Sequence, residues 1–431
     1  MNAPEPKPAG RGPLISADEA LTRLLSAVVP TGRTETVPTP EAWRRVLARD
    51  IVSPVNVPPE DNSAMDGYAI RLADLADGAG SVLGVSQRIA AGRPGEPLRP
   101  GTAARIFTGA QVPAGADAVV MQEHCESLPG PGLGTVRINE LPAHGAAIRR
   151  QGEDVRLGHV VLRRGHRMDS AAIGLAATVG MATLDVAARP RVALFSTGDE
   201  LVMPGEPLPP GAIYNSNRFM LGALLRGQGC IVTDLGNVPD KLDATRAMLR
   251  EAAAGHDLIL SSGGVSVGEE DHLKPALAAE GRLDLWAIAI KPGKPLAFGA
   301  VRHVDAGGVS LRGPDGPLET SFIGLPGNPV SSHVTFTLFV RPVLARLQGA
   351  EAAWPLGVPM RADFAWPRPD KRREFLRVRR NATGGLDLYA NQGSGVLTSL
   401  AWGDGLADLA PGQAVQPGDM VRFLSLAELA P

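Results

Sequence analysis

The sequence predicts a multidomain α/β plus β chain, in which a region built on a parallel α/β sheet is joined to smaller β domains. Three observations predict it. From Arg191 onward, short apolar runs alternate with helical segments, the rhythm of βαβ units. Between Val82 and Val120, and again after Gly349, brief strand-like runs are separated by Gly/Pro turns, as in small β domains and barrels. With 431 residues, the chain is also too long for one ordinary core.

Composition narrows the class. A formal charge of -2 argues against a nucleic-acid footprint, which calls for a basic surface. Cys125 and Cys230 are too few for a disulfide framework or a structural zinc site, and both read as small buried hydrophobes. No apolar run approaches the roughly 18 residues of a membrane span. Residues 1–13 are Pro/Gly-rich without an apolar signal core and read as a disordered tail, so a cytoplasmic protein is expected.

The elements follow in order. Ser16 with Glu19 forms a capping-box signature for a helix through Val29, and a second short helix is expected at about Pro40 to Arg49. Pro54, Pro58 and Pro59 force an extended approach to Asn62-Ser63-Ala64-Met65-Asp66-Gly67-Tyr68-Ala69. Asp66 there is either an Asx-turn residue or an acid/base or ligand group in a cleft. Thr108-Gly109-Ala110 ends a strand and offers a hydroxyl and an amide. Arg149-Arg150-Gln151-Gly152-Glu153-Asp154 is a solvated charged face, or an anion site in which Asp154 positions a reacting group. Ser170 to Val179 is an Ala-rich helix capped by Asp169 or Ser170.

In the α/β region, Val192 to Ser196 is a buried strand ending in Thr197-Gly198-Asp199-Glu200-Leu201. Helices at Asn217–Gln228 and Leu242–Ala254 bracket a strand at Ile231–Leu235. The strand Asp257–Leu260 then opens the central stretch, Ser261-Ser-Gly-Gly-Val-Ser-Val-Gly-Glu-Glu-Asp271, and a helix follows from Lys274. A glycine loop from strand to helix exposes unpaired amides to an anion. The acids beside it would repel a bare phosphate, so a bridging divalent cation is the economical reading; a plain strand-to-helix turn is the alternative. The loop lacks the Gly-Lys-Ser/Thr of a Walker A motif and the spacing of the dinucleotide fingerprint. In parallel sheets ligands sit at the C-terminal strand ends, where Glu200, Asp240 and Asp271 all fall.

Ala287 to Lys291 reads as a further strand ending in Lys291-Pro292-Gly293-Lys294-Pro295, two lysines on a stiff backbone that suits an oxyanion, or else a solvated basic turn. The segment Arg302–Thr320 reads as an exposed, dispensable loop. Phe322 to Ser331 is a strand running through Pro326-Gly327-Asn328-Pro329 into a helix that extends to Leu347, with Ser331 a cap or an anion ligand. After Gly349 the strands and turns, including Gln392-Gly393-Ser394-Gly395, fit a small β-barrel.

These motifs, from Asn62–Ala69, Ile106–Ala110 and Arg149–Asp154 through Ser196–Leu201, Ser261–Asp271, Lys291–Pro295 and Gly324–Ser331, occur in the order found in the MoeA family. The chain resembles that family of molybdopterin molybdenumtransferases, which includes the gephyrin E domain, from about Leu14 to Leu424. The resemblance implies the last step of molybdenum cofactor synthesis. Molybdate enters the dithiolene of adenylylated molybdopterin, the pyrophosphate bond is cleaved with Mg²⁺, and AMP is released. It implies an elongated linker domain (14–53 and 154–188), an inserted β domain (54–153), a molybdopterin-binding α/β domain (189–348) and a C-terminal β-barrel (349–431).

Carried onto this chain, Asp240, Asp271 and nearby Glu200 match the Mg²⁺-associated acids. Gly198, Gly263, Gly264 and Ser266 would wrap the pterin phosphate or pyrophosphate. Lys291, Lys294, Pro295, Ser331, Arg377 and Ser399 resemble the molybdate-holding residues. Asp66, Thr108 and Asp154 would reach in from the second protomer of a homodimer. Contact with a molybdopterin adenylyltransferase and with molybdoenzyme chaperones is implied too, and neither nucleic acid nor membrane. The chain departs from the pattern at Ala287, where many members carry a basic residue, and at Pro239-Asp240-Lys241, which replaces a more acidic run. The competing readings are a molybdopterin adenylyltransferase, a non-catalytic molybdopterin-binding scaffold and a generic Mg²⁺-dependent phosphohydrolase.

Overall fold

The structure, a computed structural model, describes residues 14–264, 272–305, 309–313 and 316–429. The chain forms two compact units. The smaller comprises Thr36–Trp43 and Arg49–Asp185; the larger takes the chain up to Glu35, Arg44–Ala48 and the chain from Val186.

Helix α1 (Ala17–Ala27) begins at Ser16, whose hydroxyl accepts from the Glu19 amide at 3.1 Å. The Glu19 carboxylate pairs with Arg23. Assigned above to the linker domain, α1 buries Ala20, Leu21 and Leu24 in the core of the larger unit. The helix expected at Pro40–Arg49 is only a 3₁₀ turn, Thr39–Ala42. Arg44 adopts φ 61°, which a right-handed helix cannot contain.

The smaller unit holds a six-stranded sheet. Its strands are β1 (Gly67–Ile70), β2 (Val82–Ile89), β3 (Thr102–Ile106), β4 (Ala118–Met121), β5 (Cys125–Leu128) and β6 (Thr135–Ile138), in the order β4-β1-β3-β2-β6-β5. Period-two alternation sends Tyr68 and Ile70 into one core and Ala69 into another. Helix α2 (Ser170–Thr178) is capped by Asp169, which accepts from the Ala172 amide at 2.8 Å.

In the larger unit, strands β7 (Arg191–Thr197), β8 (Ile231–Val238), β9 (Leu258–Ser262), β10 (Gly281–Ala287), β11 (Pro295–Arg302) and β12 (Glu319–Leu325) form one sheet in the order β8-β7-β9-β12-β11-β10. The first four are parallel, as the βα alternation predicts. The β11 and β10 edge runs antiparallel, which corrects the expectation of a parallel sheet throughout. The segment Arg302–Thr320, expected to be a dispensable loop, extends the β11–β12 hairpin: Leu311 donates to His303 O, and His303 to Leu318 O.

Helices cover both faces. Val192, Leu194, Leu258 and Leu260 pack with Leu221 and Leu225 of α3 (Ser216–Gly227). The intervening Ala193, Phe195 and Ile259 pack with Leu249 of α4 (Leu242–Gly255) and Leu277 of α5 (Leu273–Glu280). The last helix is interrupted: α6 (Pro329–Thr335) passes through a π turn, Phe336–Val340, into α7 (Arg341–Leu347). Pro342 lies in the first turn of α7 and supplies no amide to the preceding turn, a known cause of such a break.

Strands β13 (Val358–Ala362), β14 (Arg373–Arg380), β15 (Gly385–Leu388), β16 (Gly405–Leu409) and β17 (Met420–Ser425) close into a five-stranded barrel through the β14–β16 pairing. The single strand expected at Ala287–Lys291 is divided between sheets. Its N-terminal end is the tail of β10, whereas Ile290 and Lys291 pair in parallel with Arg373 and Glu374 of the barrel. The lysine motif is thereby strung from the α/β sheet to the barrel.

Candidate active-site pocket

A cavity of about 820 Å³ opens at the C-terminal ends of the parallel strands of the larger unit. Thr197, Gly198 and Glu200 after β7, Asp240 after β8, Ser262–Gly264 after β9 and Pro326–Pro329 after β12 form one side. Lys291–Pro295, Arg372 and Gln392–Ser394 line it from the barrel side.

The glycine loop is sterically specified at two positions. Gly263 has φ 90°, and a Cβ there would lie 2.7 Å from the Thr197 carbonyl oxygen. Gly264 has φ 66°, and its Cβ would lie 2.7 Å from Thr197 Oγ1. Only glycine combines that backbone with that proximity. The loop is tied across the sheet by Asn217 of α3, whose Nδ2 donates to Ser262 Oγ at 2.8 Å and to Gly327 O at 2.7 Å. Asn215 caps the same helix, accepting from the Arg218 amide at 3.1 Å. Sequence reasoning passed over Asn215 and Asn217; the Asn-Ser-Asn run at a helix start was the available signal.

Lys291 and Lys294 both line the cavity but differ in state. The Lys291 ammonium lies 3.1 Å from Glu374 Oε1 and 3.7 Å from Asp370 Oδ2. Lys294 has no ion pair among the described residues. Arg372 grips Asp370 through two bonds of 3.0 and 2.8 Å, and this pairing holds the Asp370 carboxyl well below the usual range. Pro295 and the buried Ser331 complete this wall.

Arg377 and Ser399 lie off the wall. Arg377 is only 1 % exposed, and burial lowers its pKa to about 10, so the guanidinium stays charged. Its Nε donates to Ser399 Oγ at 3.0 Å and its Nη2 to Gly393 O at 3.1 Å. The Arg377 amide and carbonyl exchange bonds with the Gln392 side chain at 2.8 and 3.0 Å. The pair therefore braces the Gln392–Ser394 segment from behind, and the serine of this segment that lines the cavity is Ser394.

Glu200 and Asp240 line the cavity, while Asp271 and Ser266 lie outside the described residues. Among the described residues no cluster of three or more potential metal ligands is present. Two acidic residues in the same cavity as the glycine loop nonetheless fit Mg²⁺, which is commonly held by one or two carboxylates with phosphate oxygens and water.

In the smaller unit, Asp66 Oδ1 accepts from the Thr108 amide and hydroxyl, both at 2.8 Å. Those two bonds, with the Arg105 charge behind them, hold the Asp66 carboxyl below its ordinary range. Asp66 and Thr108 are thus brought together across 42 residues of sequence. Asp154 is exposed on a turn anchored by Asp61, which accepts from Arg150 Nη1 at 2.6 Å and the Gln151 amide at 2.8 Å. Among the described residues no hydrogen bond joins Asp154 to the Asp66–Thr108 pair.

Glycines, acidic residues and lysines around one cavity at the C-terminal edge of an α/β sheet make a site suited to a phosphorylated or oxyanionic ligand. Family models narrow the class. The MoeA N-terminal region (domain I and II) matches residues 15–180, the "Probable molybdopterin binding domain" residues 193–346, and the MoeA C-terminal region (domain IV) residues 359–426. The chain belongs to the MoeA family.

A molybdopterin molybdenumtransferase of Haemophilus influenzae is 42% identical over 337 residues, 78% of each chain. Molybdopterin molybdenumtransferase 2 of Mycobacterium tuberculosis is 36% identical over 418 residues, covering 94% of this chain and 96% of its own. The crystal structure of the molybdopterin biosynthesis moeA protein of Pyrococcus horikoshii superposes with a TM-score of 0.79 at 28% identity, covering 96% of this chain and all of that one.

Proposed function

We infer that this chain is a molybdopterin molybdenumtransferase acting in molybdenum cofactor biosynthesis, the activity named for its relatives over most of their length. The observation that carries the reading is the cavity itself, in which the Gly263–Gly264 loop faces a wall bearing Lys291 and Lys294. Such a site offers one surface to a phosphate and another to a small oxyanion.

In finer detail, the substrates are adenylylated molybdopterin and molybdate, and the pyrophosphate bond is cleaved to release AMP. The backbone at Gly263 and Gly264 holds the phosphate end, where no side chain blocks its approach. Lys294, which has no ion pair among the described residues, binds and orients molybdate, and Ser331 and Ser394 line the same cavity. Arg377 and Ser399 keep the Gln392–Ser394 segment in place. Glu200 and Asp240, with Asp271 from the adjoining stretch, would hold Mg²⁺. Bound there, the ion would neutralise charge on the phosphate oxygens. Asp66 is fixed as an ionised acceptor by Thr108, suited to orient a donor group of the substrate, and Asp154 serves the same cleft.

A homodimer in which Asp66, Thr108 and Asp154 serve the second protomer's cavity fits this reading. So do contacts with a molybdopterin adenylyltransferase and molybdoenzyme chaperones, and a cytoplasmic location. Among the described residues no helix is long and apolar enough to cross a membrane.

The test incubates the purified protein with adenylylated molybdopterin, Mg²⁺ and molybdate, and follows AMP release and reconstitution of a cofactor-free molybdoenzyme. Both signals are expected, with Lys294→Ala lowering them by at least ten-fold. AMP release without reconstitution would replace the transferase by a hydrolase. Tight binding with neither signal would leave a scaffold.

A further inference from the structure

We propose that Glu374 is a positioning residue for the oxyanion wall, a built-in counter-ion that holds the Lys291 ammonium and weakens anion binding there. The proposal rests on the reading of this wall as an oxyanion site. Glu374 is the second residue of barrel strand β14 and is 1 % exposed, a costly place for a carboxylate unless partners compensate it. One oxygen is well served: Oε2 accepts from Trp366 Nε1 at 3.0 Å and from the Asp370 amide at 2.8 Å. The other, Oε1, receives no hydrogen bond of good geometry, and the group beside it is Lys291 Nζ at 3.1 Å.

The backbone imposes this meeting, because Lys291 and Glu374 are register partners in the parallel pairing that joins the lysine motif to the barrel. Asp370 Oδ2 lies 3.7 Å from the same ammonium while Arg372 holds both of its oxygens. The Trp366 ring centroid lies 5.9 Å from Lys291 Nζ. Of the three cations lining the cavity, Lys291 and Arg372 are therefore already matched to acids, whereas Lys294 has no ion pair among the described residues.

An oxyanion reaching Lys291 must share its N–H donors with Glu374 and approach against the repulsion of that carboxylate. The acid trades affinity for two things: Lys291 is held in one place, and the bound oxyanion can leave again.

Glu374→Gln keeps an acceptor for Trp366 and the Asp370 amide while removing the charge. Titration calorimetry with sodium molybdate, and separately with sodium sulfate, is expected to show at least five-fold tighter binding to Glu374→Gln than to wild type. The salt dependence should also be steeper. The gain should vanish in the Lys291→Met background, which a merely structural role of Glu374 would not require. Near-UV circular dichroism checks that the fold is kept, and Glu374→Asp should restore wild-type affinity. Unchanged or weaker binding in Glu374→Gln, a gain that survives Lys291→Met, or no oxyanion binding by either form would overturn the proposal. Failure of AMP release with the calorimetric gain intact would refute the transferase reading and leave the counter-ion standing.

Discussion

Asn217→Ala tests how the cavity wall is held. The side chain is 7 % exposed, and its one amide nitrogen ties Ser262 at the end of β9 to Gly327 at the end of β12. Because Gly327 O can only accept, the nitrogen must point at it, which fixes the amide orientation. Alanine removes two hydrogen bonds of about 1 kcal/mol each and leaves the buried Ser262 hydroxyl without this donor, so the loss should total about 2–4 kcal/mol. Urea denaturation followed by circular dichroism would measure it. Asn217→Asp sharpens the test, since a carboxylate facing the Gly327 carbonyl replaces attraction by repulsion. The aspartate variant should be less stable than the alanine variant at pH 7, and the gap should narrow as the carboxylate is protonated. An alanine variant within 0.5 kcal/mol of wild type, well below the cost of two lost bonds, would refute the reasoning. So would an aspartate variant as stable as the alanine one.

Gly263→Ala should cost about 2–3 kcal/mol, from the φ 90° backbone plus overlap with the Thr197 carbonyl oxygen. Gly229→Ala, at φ 81° with open space around the added methyl, should lose only the backbone part, so equal losses in the two variants would dismiss the contact. His333 supplies a pH signature: burial lowers its pKa from 6.5 to about 4, and its Nδ1 has no hydrogen-bond partner. The unfolded chain takes up this proton below pH 6.5 while the folded chain does not, so the contribution is complete above 6.5 and is lost as pH falls toward 4. It is worth up to about 3 kcal/mol, and His333→Gln should flatten the difference between the unfolding free energies at pH 7.5 and 4.5 by that amount. An unchanged pH profile would exclude His333 as its source.

Much of this protein was legible locally. The strand-to-loop pattern at Leu258–Gly264 and the cap at Ser16 follow from apolar period, backbone freedom and side-chain oxygens within a few residues. The same holds for the βα alternation from Arg191, because each depends on neighbours in sequence. The antiparallel β11–β10 edge was not legible, since strand direction is set by which partner the sheet offers. Nor was the division of Ala287–Lys291 between two sheets, where the run Ala287–Ile290 is continuously apolar and only the barrel decides which part leaves.

The cavity divides in the same way. Sequence alone determined the glycine loop, the acids at the strand ends and the two lysines on a stiff turn, because these are short-range requirements of backbone and charge. Only the tertiary structure decided that Lys291 is matched to Glu374 while Lys294 has no ion pair among the described residues, and that Arg377 and Ser399 brace the wall on which Ser394 stands. It likewise decided that Asn217 bridges to Gly327, 110 residues away. Contacts of that kind are set by which strands lie side by side, and no local pattern in the chain encodes them.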